Sequence, residues 1–358
     1  MRILFVTAHP CPPEHVSEAN VTLLELGRAL ATRGHETMLL CARLRAANDY
    51  GRASHAGVTV ERHDGLRLLR SDDTVRALPT LCAAFAPAAV VLADSGCEAH
   101  HARVRQLGVP AVLWLFEVEP HWFGTRNLDR QTLYLATSAF LAARARTIFG
   151  IHADVMPPYV AERALTPGAE RNRILFVNPV REHGVELALA LAAALPEVPF
   201  TFVETWGLAA QWRAACFERA LACGNIEWLP RSTDTGAALA RARLLLLPRA
   251  AEPGGCRLVV EAQRAGVPVL ASDRGDLREQ VGEGGRVLPL DAPLEDWRAA
   301  VTDILADHSS YQRGCAAAED RRNAAGAAPD AIVHRLVELL TRHRERSELP
   351  HYTGRDTG

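Results

Sequence analysis

Strand-length apolar runs alternate with helix-length amphipathic segments along the first 160 residues. The opening run Arg2–Thr7 predicts a strand, Asn20–Gly34 predicts a helix, and His35–Ala42 predicts a second strand. Strands that are apolar at nearly every position are typical of a parallel sheet covered on both faces. Three further elements continue this pattern: the strands Ala89–Ala93 and Ala111–Phe116 and the helix Ala139–Thr147.

The same alternation restarts after a polar stretch at 161–173 that contains Pro and Gly and indicates a linker. The strands predicted in this second half are Arg173–Asn178, Pro199–Glu204, Asn225–Leu229, Arg243–Pro248 and Glu283–Leu290. The helices predicted between them are Val185–Pro196, Gln211–Ala222 and Thr235–Ala242.

These patterns predict an α/β fold with two doubly wound, Rossmann-like domains at 1–160 and 172–325. Two domains are also the default for a chain of 358 residues. A ligand cleft is expected between the domains, at the carboxyl ends of their strands. A last helix, at 329–345, is expected near the interdomain seam.

Composition narrows the function classes. The net charge of −2 gives no general attraction to nucleic acid, so nucleic-acid binding is not expected. The eight cysteines form no C-x-x-C pair, which favours reduced thiols over a zinc site or a disulfide framework. The opening apolar run is too short for a signal peptide, and no later run approaches the roughly 20 residues of a membrane span. We therefore expect a cytoplasmic protein.

The segment Arg130–Phe149 carries Arg144 and Arg146 beside apolar residues, a pattern that leaves a weak peripheral membrane contact as an open interpretation. A solvated or domain-packing face is the more ordinary explanation of that pattern. The chain also contains no lysine, so all 40 of its Lys and Arg positions are arginine. Any phosphate site must consequently use arginine, histidine or backbone N–H groups.

The segment Ala251–Asp273 combines a loop, a helix and a buried strand, with Glu252 in the loop and Glu261 in the helix. Its second part, Arg257–Asp273 (RLVVEAQRAGVPVLASD), resembles the donor-site signature of glycosyltransferase family 4. Other segments are similar to further elements of that family: Leu26–Thr37, Leu135–Ser138, Val155–Pro158, Phe176–Gly184 and Asp276–Glu279.

This resemblance implies the GT-B fold, in which two Rossmann-like domains face an interdomain cleft. It implies that a sugar moves from a nucleotide-diphosphate sugar to a glycan, lipid or small-molecule acceptor with retention of configuration. It also implies that neither a metal ion nor a separate cofactor is required. The likeness is most specific in the C-terminal half, where the donor would bind, and weaker in the half expected to hold the acceptor.

The chemistry of such a donor fits the segment. Ribose hydroxyls donate hydrogen bonds that a helix carboxylate such as Glu261 accepts well, although a solvated or capping carboxylate is the alternative. A diphosphate suits the helix N-terminus and the N–H groups of a glycine loop. The candidate donor-binding residues are Glu261, Gly254, Gly255, Cys256, Arg257, His183, Gly184 and Arg249.

The first glutamate of the family signature is displaced. Its position, eight residues before Glu261, holds Pro253, which has neither a carboxylate nor an N–H donor. One hypothesis is that the glycines let the loop bulge, so that Glu252 reaches the sugar hydroxyls and acts in catalysis. The rival hypothesis is that Glu252 points to solvent and donor binding is weakened or lost.

This chain also departs from the family at the pair of basic residues that binds phosphate, because its sequence over Asn178–Gly184 is N-P-V-R-E-H-G. Arg181 and His183 are the obvious substitutes, and Arg181 is a candidate catalytic residue because guanidinium binds phosphate in a bidentate manner. Histidine is only partly charged near neutral pH. Arg249, after a predicted strand, is another cation expected near the cleft.

On the acceptor side, candidate residues follow strand ends, and any one of them is more often an ordinary loop residue. Within Phe116–Phe123, carboxylates and aromatic rings surround His121, the candidate catalytic residue of this domain. The other candidates are His9, His15, Asp94, Glu117 and Glu119.

Two functions remain open. The first is a retaining, metal-independent glycosyltransferase. The second is a catalytically weakened GT-B protein that binds a nucleotide or sugar or serves as a partner subunit, as the departures at Pro253 and the absent lysine suggest. An NAD-dependent dehydrogenase is excluded because neither half has G-x-G-x-x-G after its first strand.

Overall fold

A computed structural model of the chain describes residues 1–43, 58–93, 96–118, 131–162, 170–205, 207–229 and 235–348. Within these ranges the chain forms two parallel-sheet domains, each with its own sheet. The expectation of two doubly wound α/β halves is confirmed, since no sheet runs continuously across both halves of the described chain.

The N-terminal domain contains an eight-stranded sheet in the order β3-β4-β2-β1-β5-β6-β7-β8, parallel except for the edge strand β3. Its strands are β1 (Arg2–Pro10), β2 (Glu36–Ala42), β3 (Thr59–His63), β4 (Leu66–Ser71), β5 (Ala89–Ala93), β6 (Ala111–Leu115), β7 (Leu133–Ala136) and β8 (Asp154–Val155). Its helices are α1 (Glu18–Ala31), α2 (Thr74–Phe85), α3 (Glu98–Gln106) and α4 (Ala139–Phe149).

The C-terminal domain contains a six-stranded parallel sheet in the order β11-β10-β9-β12-β13-β14. Its strands are β9 (Arg173–Val177), β10 (Phe200–Val203), β11 (Ile226–Leu229), β12 (Ala242–Leu247), β13 (Val269–Ser272) and β14 (Gly285–Leu288). The helices of this half of the chain are α5 (Val185–Ala194), α6 (Ala210–Cys223), α7 (Thr235–Arg241), α8 (Arg257–Arg264), α9 (Leu277–Val281), α10 (Leu294–Ala306), α11 (His308–Arg322) and α12 (Pro329–Glu348).

Each sheet is buried on both faces, which explains its continuous apolar strands. In β1, Ile3 and Phe5 join one core while Leu4 and Val6 join the core on the opposite face. Successive side chains of a strand point to opposite faces, so a strand covered on both sides needs apolar residues at consecutive positions. Strand β9 follows the same arrangement with two separate clusters on its faces.

The last helix returns to the first domain. The side chains of Ile332, Val333, Leu336 and Leu340 on α12 belong to the N-terminal core, and the ring of His343 hydrogen-bonds the Ala111 carbonyl at 3.0 Å. This helix covers one face of the N-terminal sheet and physically ties the two ends of the chain together. Among the described residues, no helix is both long and apolar enough to cross a membrane.

Candidate functional site in the interdomain cleft

A cavity of about 470 Å³ lies between the two domains. On one side it is lined by the end of β1, the segment that follows it and the start of α1, including His9, His15 and Glu18. On the other side it is lined by loops that follow β9 and β12 and by the start of α8. The carboxyl ends of parallel strands from both domains therefore meet at one space, as expected for ligand sites of doubly wound sheets.

The loop between β12 and α8 presses its two glycines against the N-terminal domain. The Gly254 carbonyl accepts a hydrogen bond from Thr137 Oγ1 at 2.7 Å, and a Cβ on Gly255 would lie 2.6 Å from the Thr137 Cβ. Gly255 also has φ +68°, a left-handed conformation that favours glycine. The paired glycines thus permit the close approach of the two domains.

The N–H of Gly255 already has a partner. It donates to Asp276 Oδ2 at 2.6 Å, and Gln280 donates to the same oxygen at 2.7 Å. Burial raises the pKa of Asp276, while these two hydrogen bonds oppose the increase. The glycine loop therefore offers a ligand fewer N–H groups than the sequence predicts.

Glu261 lines the cavity from the second turn of α8. Its Oε1 accepts from Arg257 Nε at 2.8 Å, and its Oε2 accepts from Thr235 Oγ1 at 3.1 Å. Arg257 in turn donates through Nη2 to Glu25 of the N-terminal domain at 2.7 Å. The carboxylate predicted to bind ribose is therefore held by Arg257 of its own helix and by Thr235 of α7, and Glu25 of α1 holds Arg257 in turn.

Arg249, after β12, reaches into the cleft and meets the N-terminal domain. Its Nη2 lies 3.2 Å from Glu18 Oε1, with 13% of the arginine side chain and 31% of the glutamate side chain exposed. Cys256 Sγ donates to the same glutamate oxygen at 3.4 Å. Burial raises the pKa of Cys256 to about 12, with Glu18 adding to the increase, so this thiol stays neutral.

His183 does not supply a positive charge. Its Nδ1 lies 3.1 Å from the Val177 carbonyl oxygen, and burial together with the nearby Arg249 guanidinium lowers its pKa to about 3. Gly184, with φ +82°, caps the short turn Arg181–His183, and a Cβ on it would overlap the Pro248 carbonyl. Although His183 lines the cavity, it does so as a neutral hydrogen-bonding group.

Arg181 lies apart from the groups that the cavity brings together. Its guanidinium carbon is 4.8 Å from the centre of the Trp212 ring, a cation–π distance. The Trp212 indole N–H donates to the Pro179 carbonyl at 2.9 Å, which fixes the ring. Arg181 is exposed and is not among the residues that line the cavity. Its predicted contact with a diphosphate stays a prediction.

Glu252 lines the cavity and also forms an ion pair with Arg144 of the N-terminal domain. Its Oε2 accepts from Arg144 Nη1 of α4, and Arg144 Nε donates to the Val118 carbonyl at 3.0 Å. Arg144 thus belongs to an interdomain contact. This agrees with the domain-packing explanation of Arg144, which the sequence left open beside a peripheral membrane contact. Pro253 packs against Gly275, where a Cβ would overlap the Pro253 carbonyl. Contact between Glu252 and a sugar stays a prediction.

The acceptor-side candidates are only partly described. The rings of His9 and His15 are 6.1 Å apart and tilted by 34°, and both line the cavity together with Glu117. His121, Glu119 and Asp94 lie outside the described residues. In the part of the chain that the structure describes, no group of three or more His, Cys, Asp or Glu side chains is arranged to hold a metal ion.

The sequence alone did not predict which residues of the N-terminal domain contact Arg249 and Arg257. Glu18 directly follows the N-cap Ser17 of α1, where an acidic residue is an ordinary complement to the helix dipole. Glu25 sits among apolar residues one to two turns later. The only local signal for Glu25 was a carboxylate on a buried helix face, which requires a partner but does not identify it.

Three comparisons bear on the class of protein. Residues 171–307 match a family model described as glycosyl transferases group 1. This segment includes α8, Glu261 and Arg249. A search among curated protein sequences finds no significant match.

Solved structures resemble the whole chain. Sucrose-phosphate synthase from Thermosynechococcus elongatus superposes with a TM-score of 0.76 at 17% identity, covering 95% of this chain and 98% of the synthase. HepE from Anabaena, in complex with UDP and glucose, gives 0.72 at 15% identity over 96% of this chain and 100% of its own. The catalytic domain of starch synthase IV from Arabidopsis thaliana, bound to ADP and acarbose, gives 0.68 at 12% identity over 96% and 99%. The chain therefore has the GT-B fold.

Proposed function

We propose that this protein is a glycosyltransferase that moves a sugar from a nucleotide-diphosphate sugar to an acceptor. The observation that carries the proposal is the convergence of three groups on the cavity of about 470 Å³: the Glu261 carboxylate, the N-terminus of α8 and the Arg249 guanidinium. They suit ribose hydroxyls and a diphosphate. The family match over 171–307 and the nucleotides named for the similar structures support the proposal.

Arg249 is the main candidate for the charge that binds the diphosphate. Among the described residues, the arginines lining the cavity are Arg249 and Arg257. Arg257 already contacts the carboxylates of Glu25 and Glu261. His183 is neutral near physiological pH because its pKa is about 3. A donor phosphate would therefore compete with Glu18 for the Arg249 guanidinium.

The proposed reaction retains configuration. The bond between the anomeric carbon and the diphosphate oxygen breaks, and the acceptor oxygen bonds to that carbon on the same face. The acceptor proton passes to the leaving phosphate. The protein positions both substrates and stabilises the charge that develops on the leaving oxygen, without a metal ion. Arg249 and the amides at the start of α8 are the groups proposed for this stabilisation.

Other roles follow from position. Glu252 lines the cavity beside the glycine loop and is proposed to accept hydrogen bonds from the sugar hydroxyls. Arg181 would contribute to phosphate binding by leaving Trp212. The acceptor, a glycan, lipid or small molecule, is proposed to enter beside His9 and His15, with His121 as the candidate catalytic residue of that domain.

The direct experiment is a screen of UDP, GDP, ADP and dTDP, and of their glucose conjugates, against the purified protein. One base is expected to raise the melting temperature, since a ligand at 100 times its Kd stabilises a protein by about 2.7 kcal/mol. The matching nucleotide sugar is expected to release its nucleoside diphosphate in the presence of EDTA, slowly when water accepts the sugar and faster with an acceptor.

The outcomes separate the two candidate functions. If one nucleotide stabilises the protein but no pair of donor and acceptor releases a nucleoside diphosphate, the result would favour a binding or partner protein. Stabilisation by none of these nucleotides would contradict the proposal. Release that is unchanged in Glu252→Ala would remove Glu252 from the sugar site while leaving the donor assignment in place.

A further inference from the structure

Arg257 joins three parts of the molecule through one buried guanidinium. Its Nε donates to Glu261 Oε1 at 2.8 Å, one turn further along α8. Its Nη1 donates to the Tyr159 carbonyl at 2.7 Å, in the segment that leaves the N-terminal domain. Its Nη2 donates to Glu25 Oε2 at 2.7 Å, on helix α1. The planar fork of arginine donates to all three acceptors at once in a fixed geometry.

The charges in this cluster are unequal. One guanidinium faces two carboxylates, and the side chains of Arg257 and Glu25 are each only 5% exposed. Glu25 Oε2 also accepts the Ala161 N–H at 3.0 Å, so it is fixed by the connecting segment as well as by α8. Burial by itself lowers the pKa of Arg257, while Glu261 and Glu25 raise it. The two carboxylates therefore keep this arginine charged despite its burial.

Glu261 is the carboxylate of this cluster that a ligand in the cavity can reach. The Glu261 side chain is 15% exposed and lines the cavity, whereas Glu25 does not. Its Oε1 is held by Arg257, and its Oε2 carries the Thr235 hydroxyl at 3.1 Å. Because each carboxylate oxygen has two lone pairs, Glu261 can accept a ribose hydroxyl without releasing Arg257.

We propose that Arg257 and Glu25 are positioning residues for ribose recognition. Arg257 holds Glu261 in one orientation, and Glu25, from the other domain, holds Arg257 and shares its charge. Glu261 thereby stays a strong acceptor for the ribose diol. This inference rests on the proposed nucleotide-sugar function of the cleft. Its distinctive consequence is that discrimination for ribose depends on a residue of the N-terminal domain.

A purely structural clamp would use the same contacts, so the test needs a readout that a clamp would not change. That readout is the ratio of affinities for a ribonucleoside diphosphate and its 2′,3′-dideoxy analogue, measured by calorimetry with the base selected in the screen above. Loss of hydrogen bonds to a charged acceptor corresponds to about ten- to a hundredfold in affinity. The wild-type protein is expected to show a ratio in that range.

Arg264 provides a matched control on the same helix. Its Nη1 donates to the Val160 carbonyl at 2.6 Å and its Nε to Glu319 at 2.7 Å. It therefore also clamps the connecting segment, but it does not line the cavity. Arg257→Gln is expected to reduce the ratio to below about threefold. Arg264→Gln is expected to lower the melting temperature and leave the ratio unchanged.

Glu25→Gln keeps an oxygen acceptor for Arg257 and is the variant to use if Arg257→Gln does not fold. Without the second carboxylate, the guanidinium interacts with Glu261 alone and makes it a weaker hydrogen-bond acceptor. The ratio of affinities for the ribonucleotide and its dideoxy analogue is therefore expected to fall about threefold. A wild-type ratio in both Arg257→Gln and Glu25→Gln would overturn the proposal, and a fall in Arg257→Gln alone would overturn the part that assigns Glu25. If the wild-type protein binds neither nucleotide, it is the proposed function that fails.

Discussion

Single charged residues around the cleft are paired with one another across the two domains. Arg249 is held by Glu18 at 3.2 Å, and these two residues are 231 positions apart. Under the proposed function, a donor diphosphate that binds Arg249 would displace Glu18 or share the guanidinium with it. The pair makes Arg249 less attractive to anions than an unpaired arginine would be.

This arrangement predicts opposite effects of two substitutions. Glu18→Gln should tighten nucleoside diphosphate binding about three- to tenfold, or about 0.7–1.4 kcal/mol, because the competing carboxylate is gone. Arg249→Gln should weaken it at least about tenfold. Binding of the corresponding nucleoside, which has no phosphate, should change in neither variant. Competition calorimetry measures the affinities for the nucleoside diphosphate and for the nucleoside. Weaker diphosphate binding by Glu18→Gln would contradict the idea that Glu18 competes with the diphosphate for Arg249.

His183 shows how burial removes a charge that residue type alone suggests. Its pKa falls from the ordinary 6.5 to about 3. Below pH 6.5 the unfolded chain therefore takes up a proton at this position that the folded protein does not. Stability must then fall as the pH decreases from about 6.5 towards 3, with a limiting slope of about 1.4 kcal/mol per pH unit for one proton.

His183→Asn keeps an N–H donor for the Val177 carbonyl and removes the titration. Urea unfolding at several pH values should show the wild type losing stability relative to this variant below pH 6.5. The two curves should be parallel above pH 7. Parallel curves over the whole range from pH 4 to 8 would show that His183 titrates normally in the folded protein.

At the residue scale, the local sequence predicted the chemical type of each side chain at the cleft, but it did not predict which partner that side chain contacts in the fold. The A-G-V-P-V context placed Glu261 on a helix that lines the cavity. Glu25 lies 232 positions from Arg257, and no local pattern connects them. Arg181 was an obvious phosphate ligand by type, yet the adjacent fold places it on Trp212.

At the scale of elements, apolar periodicity predicted the buried strands because each is covered on both faces. It missed the β3–β4 hairpin at the edge of the N-terminal sheet, whose β3 is mostly exposed and pairs antiparallel with β4. The dipeptide Asp64-Gly65 joins the two strands with φ values of +49° and +86°. An Asp-Gly pair between strands is a strong hairpin signal, so this element was predictable from turn chemistry and not from hydrophobicity.

The glycine loop before α8 predicts a difference between two glycines of similar backbone conformation. Gly255 has φ +68°, and a Cβ added to it would lie 2.6 Å from Thr137 of the other domain, whereas Gly224 has φ +75° with open space around it. Gly224→Ala should cost about 1–2 kcal/mol, the penalty of the left-handed conformation. Gly255→Ala should cost at least about 1 kcal/mol more, since overpacking adds strain.

Thermal unfolding of both variants measures this difference, and nucleoside diphosphate binding gives a second readout. Binding should weaken in Gly255→Ala, because the loop cannot keep its position against the N-terminal domain. It should stay at the wild-type level in Gly224→Ala. Equal destabilisation in the two variants would show that Gly255 serves only its own backbone conformation.

At the scale of the whole molecule, three ion pairs among the described residues join the C-terminal domain to helices α4 and α1 of the N-terminal domain: Arg144–Glu252, Arg249–Glu18 and Arg257–Glu25. In each pair, at least one member lines the cavity. The contacts between the domains therefore use side chains that also line the cavity. The two-domain plan was predictable from the restart of the strand–helix pattern, but this coupling was not, because it depends on how the domains face each other.

The most direct test of the account is the affinity of a nucleoside diphosphate for Glu261→Ala, measured by calorimetry at fixed ionic strength. The account predicts a loss of about ten- to a hundredfold relative to the wild type, because a charged acceptor of the ribose hydroxyls is removed. Glu345→Ala, an exposed position on α12, is the control and should bind as the wild type does. Equal affinity of Glu261→Ala and the wild-type protein would contradict the assignment of this cleft as the donor site.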